Sequence, residues 1–535
     1  MAKIRKPLMR ILSLATLSGV LTLSLMIFGC NMAGPFDFAQ GRQKTYTPAE
    51  VKLDPNERYI LTPNAPAEPR INGAKVFGVR HGSPFLYRIP ATGERPIKFA
   101  SEGLPAGLSL DAKSGIIMGR VTEAGSYHAT LTAENSRGKT KHEFRIIVGN
   151  TLALTPPMGW NSWYIHYDRV SDSLVRQAAD QMINTGMADY GYQYVNIDDC
   201  WMKKKSDEPY RDTVGAVLPN SKFPDMKGLA DYIHGKGLKA GLYTSPGPWT
   251  CGGYVGAYKH EEIDARTFAE WGFDFLKYDW CSYTPEKVGG TLEQFKKPYQ
   301  QMHDELQKLD RDIVFNLCQY GRGNVWTWGG EVGNCWRTTG DLGLERSARL
   351  PGFYKIGFSN ARHWEYARPG AWNDPDYILI GWVGNANTNG VGKPTTLTTN
   401  EQYSYMSMWC LMAAPLIFSG DMAKLDAFTL NVLCNSEVIA VDQDPLGKQA
   451  RILKQENNEY ILLKELEDGS KAVGLFNTGN EPNTVKVTWQ QLGIAGNQDV
   501  RDLWRQKNIG TYKDGFEAMV RSHGVVLIKI TPAVK

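Results

Sequence analysis

The chain has 535 residues, of which 42% are hydrophobic and 22% charged, with 15 Trp and 25 Tyr. That length predicts two or three domains, and the composition is that of a soluble globular protein. The formal charge of +4 lies wholly in the basic residues Lys3, Arg5, Lys6 and Arg10, so the rest of the chain has no basic excess and offers nothing to a nucleic-acid partner.

Residues 1–30 read as a targeting segment: a basic start, an uncharged apolar run from Ile11 to Phe28, and Gly29-Cys30. A small residue before Cys resembles a bacterial lipoprotein signal, which would place a lipid on Cys30. An uncleaved anchor helix is the other reading. Both predict an exported protein, periplasmic or at the cell surface, that meets the membrane only through its N-terminus. No second stretch is long enough to span a membrane.

Residues 31–70 are rich in Pro, Gly and polar groups and read as a linker. From 71 to 149, short alternating runs such as Phe85-Leu86-Tyr87-Arg88-Ile89 are separated by turn residues, which predicts an all-β domain. Its motifs, Gly103 to Asp111 and Ala133 to Gly138 among them, resemble the immunoglobulin-like domains of exported bacterial proteins. A spacer role stands there against carbohydrate binding.

From 155 to 447 short apolar strands alternate with helices. Helices are expected over Ser171 to Ala188, Glu262 to Trp271 and Leu292 to Leu309. Strands are expected at Met158–Ser162, Tyr194–Asp198, Lys239–Tyr243, Asp274–Asp279, Ile313–Cys318, Cys335–Thr339, Tyr377–Gly381 and Leu416–Ser419. This succession predicts a (β/α)8 TIM barrel. A doubly wound sheet is the alternative, but no Gly-rich nucleotide loop follows the first strand. Residues 448–535 alternate again and predict a C-terminal antiparallel β-sandwich. The protein is thus read as multidomain, a barrel flanked by two β domains.

In such a barrel the strand C-termini form the active face, and here they carry polar groups. Asp198 and Asp199 close the second strand, Lys277 and Asp279 close the fourth, and Gln319 follows the fifth. Arg337 and Asp341 come with the sixth, Asp376 with the seventh, and Trp163 with the first. Lys277 and Asp279 share one face of their strand, and the ammonium is expected to keep the carboxylate ionised. A ring of carboxylates suits two chemistries, metal-assisted hydrolysis and glycoside hydrolysis. Catalytic zinc would recruit His, and these strand ends supply none. The eight Cys have no CxxC spacing, which argues against structural zinc. Tryptophans and a buried ammonium suit a sugar better than a cation, which favours glycoside hydrolysis, a chemistry requiring no metal and no organic cofactor, over metal-assisted hydrolysis.

Several motifs carry a more specific resemblance: Pro157-Met158-Gly159-Trp160-Asn161-Ser162-Trp163, Asn196-Ile197-Asp198-Asp199-Cys200-Trp201, Lys277-Tyr278-Asp279-Trp280-Cys281, Trp336-Arg337-Thr338-Thr339-Gly340-Asp341, Trp372-Asn373-Asp374-Pro375-Asp376 and Ala440 to Gly447. In order and spacing they are similar to the α-galactosidases of glycoside hydrolase family 27. The resemblance implies a retaining glycosidase acting on terminal α-galactosyl groups. It makes Asp279 the nucleophile and Asp341 the general acid/base. Asp198, Asp199 and Lys277 would bind sugar hydroxyls, and Trp163, Tyr243, Arg337 and Asp376 would line the pocket. It also implies disulfides Cys251–Cys281 and Cys318–Cys335, and leaves Cys200 free because its usual partner region holds no Cys. One departure stands out. Gln319-Tyr320-Gly321 replaces a Glu-Trp common in the family, at a position near the sugar's 2-substituent. That leaves β-L-arabinopyranosidase and α-N-acetylgalactosaminidase activity open beside α-galactosidase. The rival from another class is a non-catalytic surface protein that binds glycans.

Overall fold

The computed structural model describes residues 45–47, 58–284, 290–343, 350–384 and 392–533. The targeting segment, with Cys30, lies outside the described residues, as does most of the linker before residue 58.

Eight parallel strands form one sheet: β1 (Met158–Asn161), β2 (Tyr194–Asn196), β3 (Lys239–Thr244), β4 (Phe275–Asp279), β5 (Val314–Cys318), β6 (Cys335–Arg337), β7 (Trp372–Asp374) and β8 (Leu416–Phe418). Neighbours follow chain order from β1 to β7, and β8 pairs with β1. Ile378 bridges Phe418 in parallel and completes the TIM-like ring.

The seventh strand departs from the expected Tyr377–Gly381. It runs upstream, over Trp372–Asp374, and pairs with Cys335–Arg337. Two residues end it there. Pro375 has no N–H for a ladder, and Asp376 turns the chain with φ 90°. What remains of the expected strand is the Ile378 bridge that closes the ring.

The helices follow the apolar spacing. Asp172–Asn184 is capped by Ser171, whose side chain accepts from the Leu174 N–H, and Gly186 in the left-handed region ends the turn beyond it. Glu261–Trp271 and Leu292–Gln307 fall where periodicity places them.

Alternation along the strands builds the barrel interior in layers. Tyr194, Phe275, Val314, Cys335 and Trp372 form an apolar floor. Two residues further along each strand come Asn196, Lys277, Asn316, Arg337 and Asp374, all buried and all polar. Two further still come Asp198, Asp279 and Cys318. The apolar floor supplies the packing, and the C-terminal mouth is left with the chemistry.

Residues 45–535 form one compact unit. The N-terminal β domain stacks a four-stranded sheet on a three-stranded one, over a core that includes Phe85, Phe99, Ile117, Leu131 and Phe144. It docks on the barrel floor, remote from the mouth. The Arg80 guanidinium donates from Nε to Asp312 at 2.7 Å and from Nη2 to the Leu309 carbonyl at 2.9 Å, just ahead of β5. Arg95 pairs with Asp189 at 2.6 Å, ahead of β2.

The C-terminal domain has a six-stranded antiparallel sheet and a two-stranded one. It packs on helix Thr399–Leu411, which is buried along its whole length between sheet and barrel. That is why this helix lacks a polar face. Among the described residues no helix is long and apolar enough to cross a membrane.

Candidate active site

The mouth of the barrel is organised around two carboxylate corners and one arginine. The first corner follows β2. Asp198 Oδ2 accepts from Lys277 Nζ at 2.9 Å, Asn161 Nδ2 at 2.9 Å and Tyr377 Oη at 3.0 Å. The Asp198 N–H donates to Ser162 Oγ at 2.9 Å, which fixes the loop to the end of β1. Asp199 turns the other way. Its oxygens accept from the N–H groups of Cys200 and Gly252, each at 2.7 Å. Burial nevertheless pushes its carboxyl up to about 7, against those donors.

The second corner is Asp279, the last residue of β4. Tyr320 Oη donates to its Oδ1 at 2.6 Å and Tyr243 Oη to its Oδ2 at 3.2 Å. Burial raises the Asp279 carboxyl, as do the charges of Asp341 and Asp198, while Lys277 and the Tyr320 hydrogen bond oppose them. The net direction is upward. Lys277 favours the ionised form of Asp279, as expected, but does not reverse the effect of burial. Its ammonium is shared, since it also reaches from β4 to Asp198.

Just beyond β4, Cys281 is joined to Cys251 in a disulfide. An Asp279 oxygen lies within 4.8 Å of both sulfurs. Sulfurs bonded to each other are not thiolates, so this cluster does not make a metal centre.

The arginine is Arg337, the last residue of β6. Its Nη2 donates to the Gly340 carbonyl at 2.8 Å and lies 3.2 Å from Asp341 Oδ1 and 3.1 Å from Asp376 Oδ2. Asp376 Oδ2 also accepts from Tyr164 Oη at 3.0 Å and from the Leu342 N–H at 2.8 Å. The chain at 341–342 is thereby tied down on one side of Asp341. The Asp341 side chain keeps 59% of its surface exposed, against 1% for Asp376. One carboxyl is placed to meet an incoming group, and the other to hold the frame.

Comparison with known proteins now bears directly on this arrangement. Residues 155–444 match the family Alpha galactosidase A. The chain is 39% identical over 397 residues to the probable alpha-galactosidase of Dictyostelium discoideum, across 72% of this chain and 94% of that one. It belongs to the alpha-galactosidase family.

The other domains match too. Residues 457–530 match the alpha galactosidase C-terminal β-sandwich domain, and 68–149 an Ig domain. A Bacteroides fragilis structure assigned as an alpha-galactosidase/melibiase superposes with a TM-score of 0.80 at 38% identity, covering 89% of this chain and 99% of its own. The Saccharomyces cerevisiae alpha-galactosidase with raffinose does so with a TM-score of 0.64 at 27% identity, covering 71% and 98%.

Against the family pattern, the mouth gathers Asp198, Lys277, Tyr243, Asp279, Arg337, Asp341 and Asp376 into one connected network, with Asp199 beside it. The Trp163 ring lies 6.0 Å from Lys277 Nζ, at the edge of the same network. Gln319 does not join it. Gln319 has no exposed surface, and its amide donates to the Arg322 carbonyl at 2.8 Å. It shapes the turn after β5, while its neighbour Tyr320 reaches Asp279.

The Cys318–Cys335 disulfide is absent, and both residues are buried thiols. The register explains why. Cys335 pairs with Asn316, so Cys318 sits two residues further along the neighbouring strand. Strand rise and spacing then put the two Cα atoms about 8 Å apart, beyond the roughly 7 Å a disulfide can bridge. Cys200 is a thiol, as expected.

Four residues of the network were not singled out in the sequence: Asn161, Tyr164, Tyr320 and Tyr377. Asn161 lies inside a quoted motif and Tyr377 directly follows another. Nothing in the sequence distinguishes the three tyrosines from core aromatics, because their hydroxyl partners come from distant segments.

Proposed function

We propose that the protein is an exported, exo-acting retaining α-galactosidase that removes terminal α-linked galactose by double displacement. The observation that carries the mechanism is the pairing of two unlike carboxyls. Asp279 is buried, held at both oxygens by phenols, and within electrostatic reach of the exposed Asp341. In this reading Asp279 attacks the anomeric carbon while Asp341 gives its proton to the departing oxygen. Asp341 then takes a proton from water, which releases galactose from Asp279. Asp198, Asp199 and Lys277 bind the hydroxyls, and Trp163, Tyr243, Arg337 and Asp376 complete the pocket. The raffinose complex of the yeast relative supports an α-galactosidic substrate. No cofactor enters the mechanism. Export, and a lipid on Cys30, rest on the character of residues 1–30.

The test pairs two variants on matched aryl glycosides. Asp279→Asn is expected to abolish release of phenol from an aryl α-galactoside. Asp341→Ala is expected to lose far more activity on a poor leaving group than on dinitrophenol, which needs little protonation. Equal losses on both would remove Asp341 from the acid role. Hydrolysis surviving in Asp279→Asn would remove Asp279. A preference for the β-L-arabinopyranoside or the α-N-acetylgalactosaminide over the α-galactoside would keep the mechanism and reassign the sugar. No turnover of any would favour a glycan-binding protein.

A further inference from the structure

Resting on that reading, the two oxygens of Asp279 are unequally held. Tyr320 sits 2.6 Å from Oδ1, the length of a charge-assisted O–H···O bond. Tyr243 sits 3.2 Å from Oδ2, and its hydroxyl also lies 3.5 Å from Cys281 Sγ. Oδ2 is therefore the freer oxygen for attack, and Oδ1 is the spectator.

The chain goes to some length to hold Tyr320 there. Tyr320 has φ 66°, a left-handed conformation that strains a bulky residue. The turn that enforces it is pinned on both sides. Gln319 donates to the Arg322 carbonyl, and the Gly321 N–H donates to the Arg337 carbonyl at 3.0 Å. The guanidinium groups of Arg322 and Arg337 lie 5.9 and 5.8 Å from the Tyr320 ring. Burial raises the phenol far above its ordinary range, so it remains an O–H donor at every working pH.

We propose that Tyr320 is a positioning residue whose hydrogen bond to Oδ1 makes Asp279 a better leaving group in the second half-reaction. In the first half-reaction Oδ2 forms its bond to the anomeric carbon and the bond to the leaving oxygen breaks. The carboxylate loses its charge, and the Tyr320 bond weakens. In the second, water bonds to the anomeric carbon, its proton passes to Asp341, and the electron pair of the breaking ester bond returns to the Asp279 carboxylate. The Tyr320 bond strengthens as that charge returns. Its differential effect therefore opposes step one and assists step two.

Tyr320→Phe keeps the ring and deletes the donor. On dinitrophenyl α-galactoside it is expected to show a burst of phenol stoichiometric with enzyme. A steady state slower by about ten- to hundredfold should follow, the rate equivalent of one hydrogen bond to a charged group. KM should fall at least as far as kcat, so kcat/KM is held or rises, and a hexosyl adduct on Asp279 should appear in the intact mass. The acid limb of kcat/KM should move to higher pH, because Asp279 loses a donor that favours its charged form. Asp279 is faced by Lys277 on its own strand, Asp198 beyond β2, Tyr243 on β3, Tyr299 on the helix Leu292–Gln307, Cys318 and Tyr320 at the end of β5, and Asp341 beyond β6. The substitution alters one of these alone.

A ring-fluorinated tyrosine at 320, with a more acidic hydroxyl and the same shape, should move the limb the other way. It keeps the test decisive if the Phe variant does not fold. Equal falls in kcat and kcat/KM with no burst and no shift in the limb would overturn the proposal. If the wild-type enzyme forms no adduct on Asp279 with an activated fluorinated galactoside, the double-displacement reading itself fails. An adduct in the wild type with an unchanged Tyr320→Phe enzyme overturns the Tyr320 role alone.

Discussion

Lys277 shows how a residue's identity can be legible while its partner is not. Strand alternation places Lys277 and Asp279 on the same face, and the structure has both lining the barrel. The ammonium nevertheless crosses from β4 to Asp198 beyond β2, at 2.9 Å, within 6.0 Å of three aromatic rings. Asp198 is 1% exposed and Lys277 6%, so the pair is desolvated. Removing one partner leaves a buried charge. Lys277→Met is therefore expected to destabilise the fold by about 3–5 kcal/mol, read as a lowered urea midpoint at unchanged slope. Lys277→Met with Asp198→Asn should recover much of that stability and none of the galactoside affinity. A single variant as stable as wild type would mean that the pair is not desolvated. Alternation is local and carries information along one strand. The choice between Asp198 and Asp279 depends on how three strands stagger, which no local pattern records.

At the scale of an element, the loop after β4 is held by the Cys251–Cys281 disulfide, which closes 30 residues. It ties the loop after β3, which carries the Gly252 N–H bonded to Asp199, to the segment just past Asp279. Loop-closure entropy puts the cross-link at about 3–4 kcal/mol. Cys251→Ser with Cys281→Ser should lower Tm. It should reduce kcat more than it changes thermal unfolding of the C-terminal sheet, since the loosened segment adjoins Asp279. Alkylation of the denatured, unreduced protein should label Cys200, Cys318 and Cys335 and spare Cys251 and Cys281. Protection of Cys318 would contradict the β5–β6 register. Strand existence, order and the polar strand ends were all legible in the sequence, because period-two patterning and capping residues act locally. The seventh strand was displaced because Tyr377 to Gly381 is as apolar as a strand. Only the geometry of Pro375 and Asp376 shows that pairing has already ended.

In the whole molecule the barrel has two differently employed ends, and the N-terminal β domain serves the one that does no chemistry. Its Arg80 and the floor residues form a charged seam. Asp274, just ahead of β4, accepts from His234 and Arg311, each at 2.7 Å, and from the Ala240 N–H at 2.9 Å. Burial alone would raise Asp274, but His234, Lys239 and Arg311 outweigh it and hold the carboxyl at about 2. The ordinary value is near 4. A depressed carboxyl stabilises the fold fully above about pH 4, and that contribution, about 2–3 kcal/mol, is lost as pH falls from 4 to 2. Asp274→Asn should forfeit it at neutral pH and show a flatter fall in unfolding free energy between pH 4 and 2 than the wild type. Arg80→Ala should cost about 1–3 kcal/mol, since a hydrogen bond to a charged partner is lost. In both variants kcat/KM on an aryl α-galactoside should stay within about twofold, because the floor of a barrel governs stability and its mouth governs chemistry. A large loss of kcat/KM in Arg80→Ala at full stability would instead join the β domain to the site. The spacer role set against carbohydrate binding for residues 71–149 would then give way to a direct part in catalysis.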